Sequence, residues 1–350
     1  MSEDSRPSAE DGAPLLYIPE AEAGDDRVVP FAVPALDIRG RVIRLGDALN
    51  LVLDRHAYPD PVSRVLGEAA TLTVLLGTAL KFEGRFQLQT KTDGPISMLV
   101  VDFTAPDQFR AVARFDSEKL EAAQATQNVS TAKLLGHGHL AMTVDQGSEM
   151  SRYQGVVALE GQGLEEAAHQ YFRQSEQIPT RIRLAVGEIV AGGHRHWRGG
   201  ALMVQFMPQS ADRMRAADLP PGDAPQGSDY LTDLEGADVD GDGVRDDSWI
   251  EARSLVGTIE DHELLDPSLA SESLLYRLFH ERGARVFEAQ AVHEECRCSR
   301  ERIMGMLKGF SPKDRHDMIA DDGQIGITCE FCSRRYAFDP AQVEAEVGAP

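Results

Sequence analysis

The chain has 350 residues, 42% hydrophobic and 26% charged, with 57 Asp and Glu against 35 Lys and Arg for a formal charge of −22. A surface this acidic excludes general affinity for nucleic acid or anionic membranes, both of which need clustered Lys and Arg. The length suits two or three folded units, and no apolar run approaches the roughly 18 residues of a membrane span.

Residues 1–25 are rich in Glu, Asp, Pro and Ala without periodicity and read as a disordered tail. They show neither the basic n-region nor the apolar h-region of a signal peptide, so a cytoplasmic location is expected. Residues 26–208 read as a core of antiparallel sheet with packed helices. Asp60-Pro61 suits an N-cap and N1 pair opening a helix through Val62, Leu66, Ala70 and Val74. Alternating runs at Arg85–Lys91, Ile96–Phe103 and Phe109–Phe115, separated by turn residues, predict a meander. A strand ending at Val157–Leu159 precedes a helix whose Leu164, Ala167, Ala168, Tyr171 and Phe172 share one face. Thr180–Val190 and Ala201–Met207 then suit a strand pair around a glycine-rich turn.

Residues 209–247 form an acidic, Pro- and Gly-rich insertion expected to be flexible. Its Asp238, Asp240, Asp242 and Gly243 resemble the start of a calcium loop. Trp249, however, stands at the twelfth position, where a bidentate Glu belongs, so a solvated acidic loop is the better reading. Residues 248–290 read as a metastable helical linker. Ser248-Trp249-Ile250-Glu251 fits a capping box, and Trp249, Ala252, Val256 and Ile259 share a face. Pro267 ends that pattern, and Leu274, Leu275, Leu278 and Phe279 lie on a second helix that Gly283 closes. Helices this short are marginal in water and must lean on something else.

All four cysteines fall in the unit 291–340, as Cys296-Arg-Cys298 and Cys329-Glu-Phe-Cys332. Arg300–Leu307 and Pro312–Ile319 suit two small helices; Gln324–Thr328 and Arg334–Phe338 suit a hairpin whose knuckle holds the second pair. Residues 341–350 read as a frayed tail. Two close cysteine pairs supply the four thiolates of a tetrahedral Zn²⁺ site. Each thiol also has a near neighbour for a disulfide, so spacing alone leaves a permanent clasp and a redox switch open. In a reducing compartment, metal binding or redox activity is favoured over permanent bridges. About fifty residues need such a staple to stay folded. His293 and His316 lie near in sequence, but four cysteines already complete the shell. His137, His139, His194 and His196 near glycines read as imidazoles at turns or sheet ends. There is no HExxH, P-loop, GxSxG or complete GxGxxG, so an enzyme is not expected.

Cys296-Arg-Cys298 with Ser299-Arg-Glu-Arg-Ile303, and Thr328-Cys-Glu-Phe-Cys-Ser-Arg-Arg-Tyr-Ala-Phe-Asp339, resemble the zinc-binding end of the thirty-three-kilodalton heat-shock protein family. Leu80-Lys-Phe-Glu-Gly84, Asp93-Gly-Pro95, Tyr153-Gln-Gly-Val-Val157 and Gln174-Ser-Glu-Gln-Ile-Pro-Thr180 resemble segments of its N-terminal domain. The likeness spans most of residues 30–340; the tail and the acidic insertion depart from it. It implies an α+β fold and a redox-regulated holdase chaperone of the bacterial cytosol, acting without ATP. In the reduced state Cys296, Cys298, Cys329 and Cys332 would hold Zn²⁺. Oxidation would form Cys296–Cys298 and Cys329–Cys332, release the metal and loosen the linker for unfolding client proteins, with homodimerisation possible on activation. Cys329–Cys332 is expected to close first, because the one-residue gap of the other pair makes a more strained ring. Trp249, Val256, Ile259, Leu274, Leu278 and Phe279 are the candidate client-binding surface, hidden while reduced. Two rival readings remain: a zinc-ribbon adaptor with a permanent metal, and a thiol oxidoreductase using Cys329 and Cys332.

Overall fold

The computed structural model describes residues 13–14 and 24–347, apart from 81–82, 147–151, 192, 208–243 and 245. Most of the expected N-terminal tail, nearly all of the acidic insertion and the calcium-like Asp238–Gly243 run lie outside the described residues.

Along the chain come β1 (Ala13–Pro14), β2 (Arg27–Val33), β3 (Ile38–Leu45), α1 (Asp47–Asp54), α2 (Asp60–Ala79), β4 (Arg85–Thr92), β5 (Ile96–Thr104) and β6 (Gln108–Phe115). Next are α3 (Ser117–Ala125), α4 (Thr131–Leu135), β7 (His137–Asp145), β8 (Tyr153–Glu160), α5 (Leu164–Tyr171), β9 (Thr180–Ala191) and β10 (His194–Phe206). The linker holds α6 (Asp247–Gly257), α7 (Asp261–Leu265) and α8 (Ser271–Phe279), followed by short strands β11 (Arg285–Val286), β12 (Gln290–Ala291) and β13 (His293–Glu294). The cysteine module contains α9 (Arg300–Leu307), α10 (Pro312–Asp317), β14 (Ile325–Thr328), β15 (Arg335–Phe338) and α11 (Pro340–Val347).

Two sheets enclose a central helix. The first has the order β1-β11-β2-β3-β10-β9, with β12 also on β2; the second has the order β13-β6-β5-β4-β7-β8. All pairings are antiparallel except β13 on β6. The fold is thus α+β, and the meander β4-β5-β6 sits where turn chemistry put it. Helix α2 lies between the sheets, with buried side chains on every side. A helix apolar all round is the expected form for such a site. Pro59 is its N-cap, with Asp60 and Pro61 in the first turn, so the helix begins one residue earlier than the sequence suggests.

The strand β10 starts at His194, so Gly199 and Gly200 lie inside it and not in a turn. A Cβ on Gly199 would come within 2.2 Å of Thr71 Oγ1 on α2, and one on Gly200 within 2.3 Å of the Leu264 carbonyl oxygen on α7. Both faces of the strand are pressed by helices, and only glycine admits that approach.

That second contact belongs to an outer layer. Helices α6, α7 and α8 cover the far face of the first sheet, burying Trp249, Val256, Ile259, Leu264, Leu274 and Phe279 against Val29, Phe31, Val42, Leu202, Val204 and Phe206. What the linker leans on is therefore the core sheet. Asp246, and not Ser248, caps α6 by accepting from the Ser248 amide; the capping box forms instead on α7, between Glu260 and Glu263. The final expectation to change is the C-terminal tail: α11 buries Val343 with Leu307, Ile325 and Phe338, and Glu344 binds Arg315 through two contacts of 2.7 and 2.8 Å. Ala13–Pro14, within the expected disordered tail, pairs with β11.

Candidate metal centre

The four cysteines converge because two local devices present them. Cys298 stands immediately before Ser299, whose side chain accepts from the Arg302 amide to cap α9. A helix start favours negative charge, and thus a thiolate, beside it. The second pair occupies the β14–β15 knuckle, closed by Cys329 N–H to Arg334 O at 3.0 Å and Ser333 N–H to Cys329 O at 2.9 Å. The four sulfurs lie within 4.8 Å of one another. Cys296 and Cys329 are 3.6 Å apart, and Cys298 and Cys332 are 3.3 Å apart.

Such a set fits Zn²⁺. Tetrahedral Zn–S bonds of about 2.3 Å place sulfurs about 3.8 Å from each other. Four thiols this close cannot all ionise unaided. Burial pushes Cys296 and Cys332 upward, whereas Cys298 is pulled down to about 7: burial opposes this, but the Tyr336 hydroxyl and the neighbouring sulfurs outweigh it. A divalent cation is what lets all four shed their protons. Tyr336 Oη lies 3.2 Å from both Cys298 Sγ and the Cys298 carbonyl oxygen and donates to them, an outer contact of the kind that orients metal ligands.

The module docks by its knuckle. The guanidinium of Arg110, on β6, lies 3.9 Å from the ring centroid of Phe331, between the paired cysteines. Buried Asp102 holds Arg110 through contacts of 2.9 and 2.6 Å. Burial disfavours the Arg110 charge, but Asp102 and the Cys296 sulfur raise its pKa further. His56, between α1 and α2, places Nε2 3.0 Å from the Phe331 carbonyl oxygen and Nδ1 3.1 Å from Ser333 Oγ. Because a carbonyl only accepts, Nε2 carries the proton and, in the neutral ring, Nδ1 accepts from the serine. Arg114 binds Glu330 at 2.8 and 3.0 Å. Sequence reasoning missed Arg110, Asp102, His56 and Tyr336. Tyr336 carried a signal, standing four residues past Cys332; Arg110 and His56 carried none, because Phe331 lies more than 200 positions from each.

The histidines stay outside. His293 faces Asp107 at 3.9 Å and Glu295 at 3.5 Å, and His316 is exposed on α10. His194 and His196 pack edge to face, 6.5 Å between ring centres, while His137 faces Asp93 at 3.8 Å and His139 is exposed on β7. Among the described residues, the four cysteines are the one group of three or more His, Cys, Asp or Glu side chains close enough to share a metal ion.

An α+β core bearing a small four-thiol module defines a cysteine-centred class of protein. The description "Hsp33 protein" belongs to the family whose model matches residues 26–339, and the chain belongs to that family. It is 39% identical over 323 residues to the 33 kDa chaperonin of Caulobacter vibrioides, covering 92% of this chain and 97% of that relative. It is 34% identical over 314 residues to the 33 kDa chaperonin of Ectopseudomonas mendocina, covering 89% and 92% respectively. The crystal structure of a 33 kDa chaperonin, a heat shock protein 33 homolog from Thermotoga maritima, aligns with a TM-score of 0.68 over 92% of this chain and 98% of that one. At 20% identity the last likeness concerns fold alone. The family is one of chaperones and not of enzymes, and its members engage unfolded clients. No helix among the described residues is long and apolar enough to cross a membrane.

Proposed function

We propose that the protein is a redox-regulated, ATP-independent holdase of the cytoplasm. Reduced, Cys296, Cys298, Cys329 and Cys332 hold Zn²⁺ and the linker stays docked. Oxidation joins Cys296 to Cys298 and Cys329 to Cys332, releases the metal and frees the apolar surface at Trp249, Val256, Ile259, Leu274, Leu278 and Phe279 to hold unfolding proteins. The observation that carries this reading is the four-thiol cluster in a module whose own core is six buried residues. Structural zinc supplies roughly 10–16 kcal/mol of folding free energy to small domains, against about 5–15 kcal/mol for a whole domain. Losing the metal is enough to unfold the module.

The knuckle gives that loss a route outward. Phe331 lies between the paired cysteines and meets both His56 and Arg110, and Ser333, directly after the pair, also meets His56. A Cys329–Cys332 bond reshapes the turn these core residues hold. The candidate client residues are all buried, from 0% to 5% exposed, so the surface is hidden in the docked state. Homodimerisation on activation belongs to the same proposal.

The test is to oxidise the zinc-loaded protein with peroxide or hypochlorous acid, then follow zinc release, cysteine pairing and aggregation of an unfolding client. Released zinc, disulfides within each pair with Cys329–Cys332 first, and suppressed aggregation are expected. Mass mapping is a real trial here, since sulfur separations of 3.6 and 3.3 Å also run across the pairs. Retained zinc would favour a permanent structural metal, and release with no gain in holdase activity would equally sink the proposal.

A further inference from the structure

Beneath the linker, the first sheet is not simply apolar. Four of its strands, β2, β3, β10 and β9, each contribute an arginine that faces the linker. Arg44 on β3, 1% exposed, donates to the carbonyl oxygens of Glu263, Leu264 and Asp266 at 2.9, 3.1 and 3.0 Å. Arg198 on β10, 5% exposed, donates to Leu265 O at 2.8 Å and pairs with Asp25. Together they take four consecutive carbonyls at the end of α7, the acceptors a helix C-terminus leaves unpaired. Arg183 on β9 reaches Ile259 O at 3.2 Å and Asp261 at 3.0 Å, and Arg27 on β2 lies 4.0 Å from Glu272. Apart from the Arg198–Asp25 pair, in these contacts the sheet supplies cations and the linker supplies carbonyl or carboxylate oxygens.

The linker sequence matches that surface. Residues 247–283 hold eight Asp and Glu against three Arg, a net charge of 3 − 8 = −5, interleaved with Trp249, Ile259, Leu264, Leu274 and Phe279. The chain as a whole carries −22, so this cationic face runs against the charge of the molecule. Lifting the linker takes those four carbonyls from the Arg44 and Arg198 guanidinium groups, leaving Arg198 its ion pair with Asp25, on a sheet face lined by Val29, Phe31, Val42, Leu202 and Phe206. A charge-assisted hydrogen bond on such a partly dry surface is stronger than the same bond in water.

We infer that the uncovered sheet face is a client-docking surface selective for unfolded segments that combine apolar residues with flanking carboxylates, the Arg44–Arg198 pair being the anchor. The linker is then an intramolecular stand-in for such a segment. This inference rests on the proposal that oxidation lifts the linker.

Fluorescent peptides sharing one apolar stretch, flanked by Asp and Glu, by Ser and Gly, or by Lys, test it by anisotropy on the oxidised full-length protein. The acidic peptide is expected to bind about tenfold more tightly than the lysine one, the scale of a charged hydrogen bond. An Arg44→Gln/Arg198→Gln variant should lose most of that difference while keeping its affinity for the neutral peptide. The unaltered protein gives a second arm that needs no substitution: raising NaCl should erase the acidic advantage and leave neutral binding in place. Equal or tighter binding of the lysine peptide, or an acidic preference that survives both the variant and salt, overturns the inference alone. If oxidised protein binds none of the three, the lifting of the linker fails with it.

Discussion

Cys298 shows how one outer contact bears on a metal site. Its thiol is pulled down to about 7 although burial opposes ionisation, and the Tyr336 hydroxyl is the foremost group pulling it down. Zinc must displace protons from its thiols, so any rise in that pKa weakens binding most where the thiol is protonated. Tyr336→Phe removes the hydroxyl and keeps the ring. We expect zinc affinity to fall by roughly 10-fold at pH 6, within the usual range for outer-shell losses, and by less at pH 8. Chelator competition across that interval measures it; a loss that is flat with pH would mean the hydroxyl acts on packing and not on the thiolate. The cysteines themselves were legible because spacing in sequence is nearly spacing in space for CxC and CxxC. Arg110 and His56 were not, since the contact with Phe331 exists only after two distant segments dock.

At the scale of elements, legibility followed locality. The β4-β5-β6 meander and the β14–β15 hairpin were set by alternation and turn residues within a few positions, and the structure places them where expected. Gly199-Gly200 misled because a glycine pair signals a turn locally, whereas here it answers to Thr71 and Leu264 on two packing helices. The tail at 341–350 misled for the converse reason: α11 is ordered by Arg315 and a core it does not itself contain. Helix α2 holds a different consequence of burial. Glu68 accepts from Thr131 on α4 at 2.9 and 2.8 Å, and burial lifts its pKa from 4.5 to about 7. For an acid whose folded pKa is raised, the stabilising contribution is complete below the unfolded value and lost as pH climbs through the folded one. Stability should therefore decline between about pH 4.5 and 7 on account of this group. Glu68→Gln keeps an acceptor for Thr131 and removes the titration. Its unfolding free energy from urea titration should match the parent near pH 4.5 and exceed it above pH 7, by on the order of 1–3 kcal/mol. An advantage independent of pH would assign the effect elsewhere.

For the molecule as a whole, the proposed switch requires a centre resting on one sheet to act on a cover lying on the other. The cysteine module contacts β6 and the α1–α2 turn, whereas α6, α7 and α8 pack on the far face of the first sheet. The chain between them, residues 285–294, is bonded to both sheets. Val292 N–H binds Asp26 O at 2.7 Å, His293 N–H binds Asp107 O at 2.9 Å and Phe287 N–H binds Pro30 O at 2.9 Å, while Glu295 N–H reaches Phe109 O at 3.0 Å. These strands of two residues each are too short to hold without anchors at their ends. The module is one anchor and α8 is the other. Removing zinc should therefore unzip the strap from its cysteine end, and α8 should loosen only after β11 has left β2. Hydrogen exchange on chelated or oxidised protein gives the order. Protection is expected to fall first at Glu295, His293 and Val292, next at Phe287, and then across Ser271–Phe279, with β3 and β10 retained throughout. Linker amides that open while Val292 and Phe287 stay protected would show that the two layers communicate by another path. The order also bears on reversal: a docked linker restores the β2 edge before the module refolds, so added zinc should re-protect Phe287 before Glu295 when thiols are reduced again.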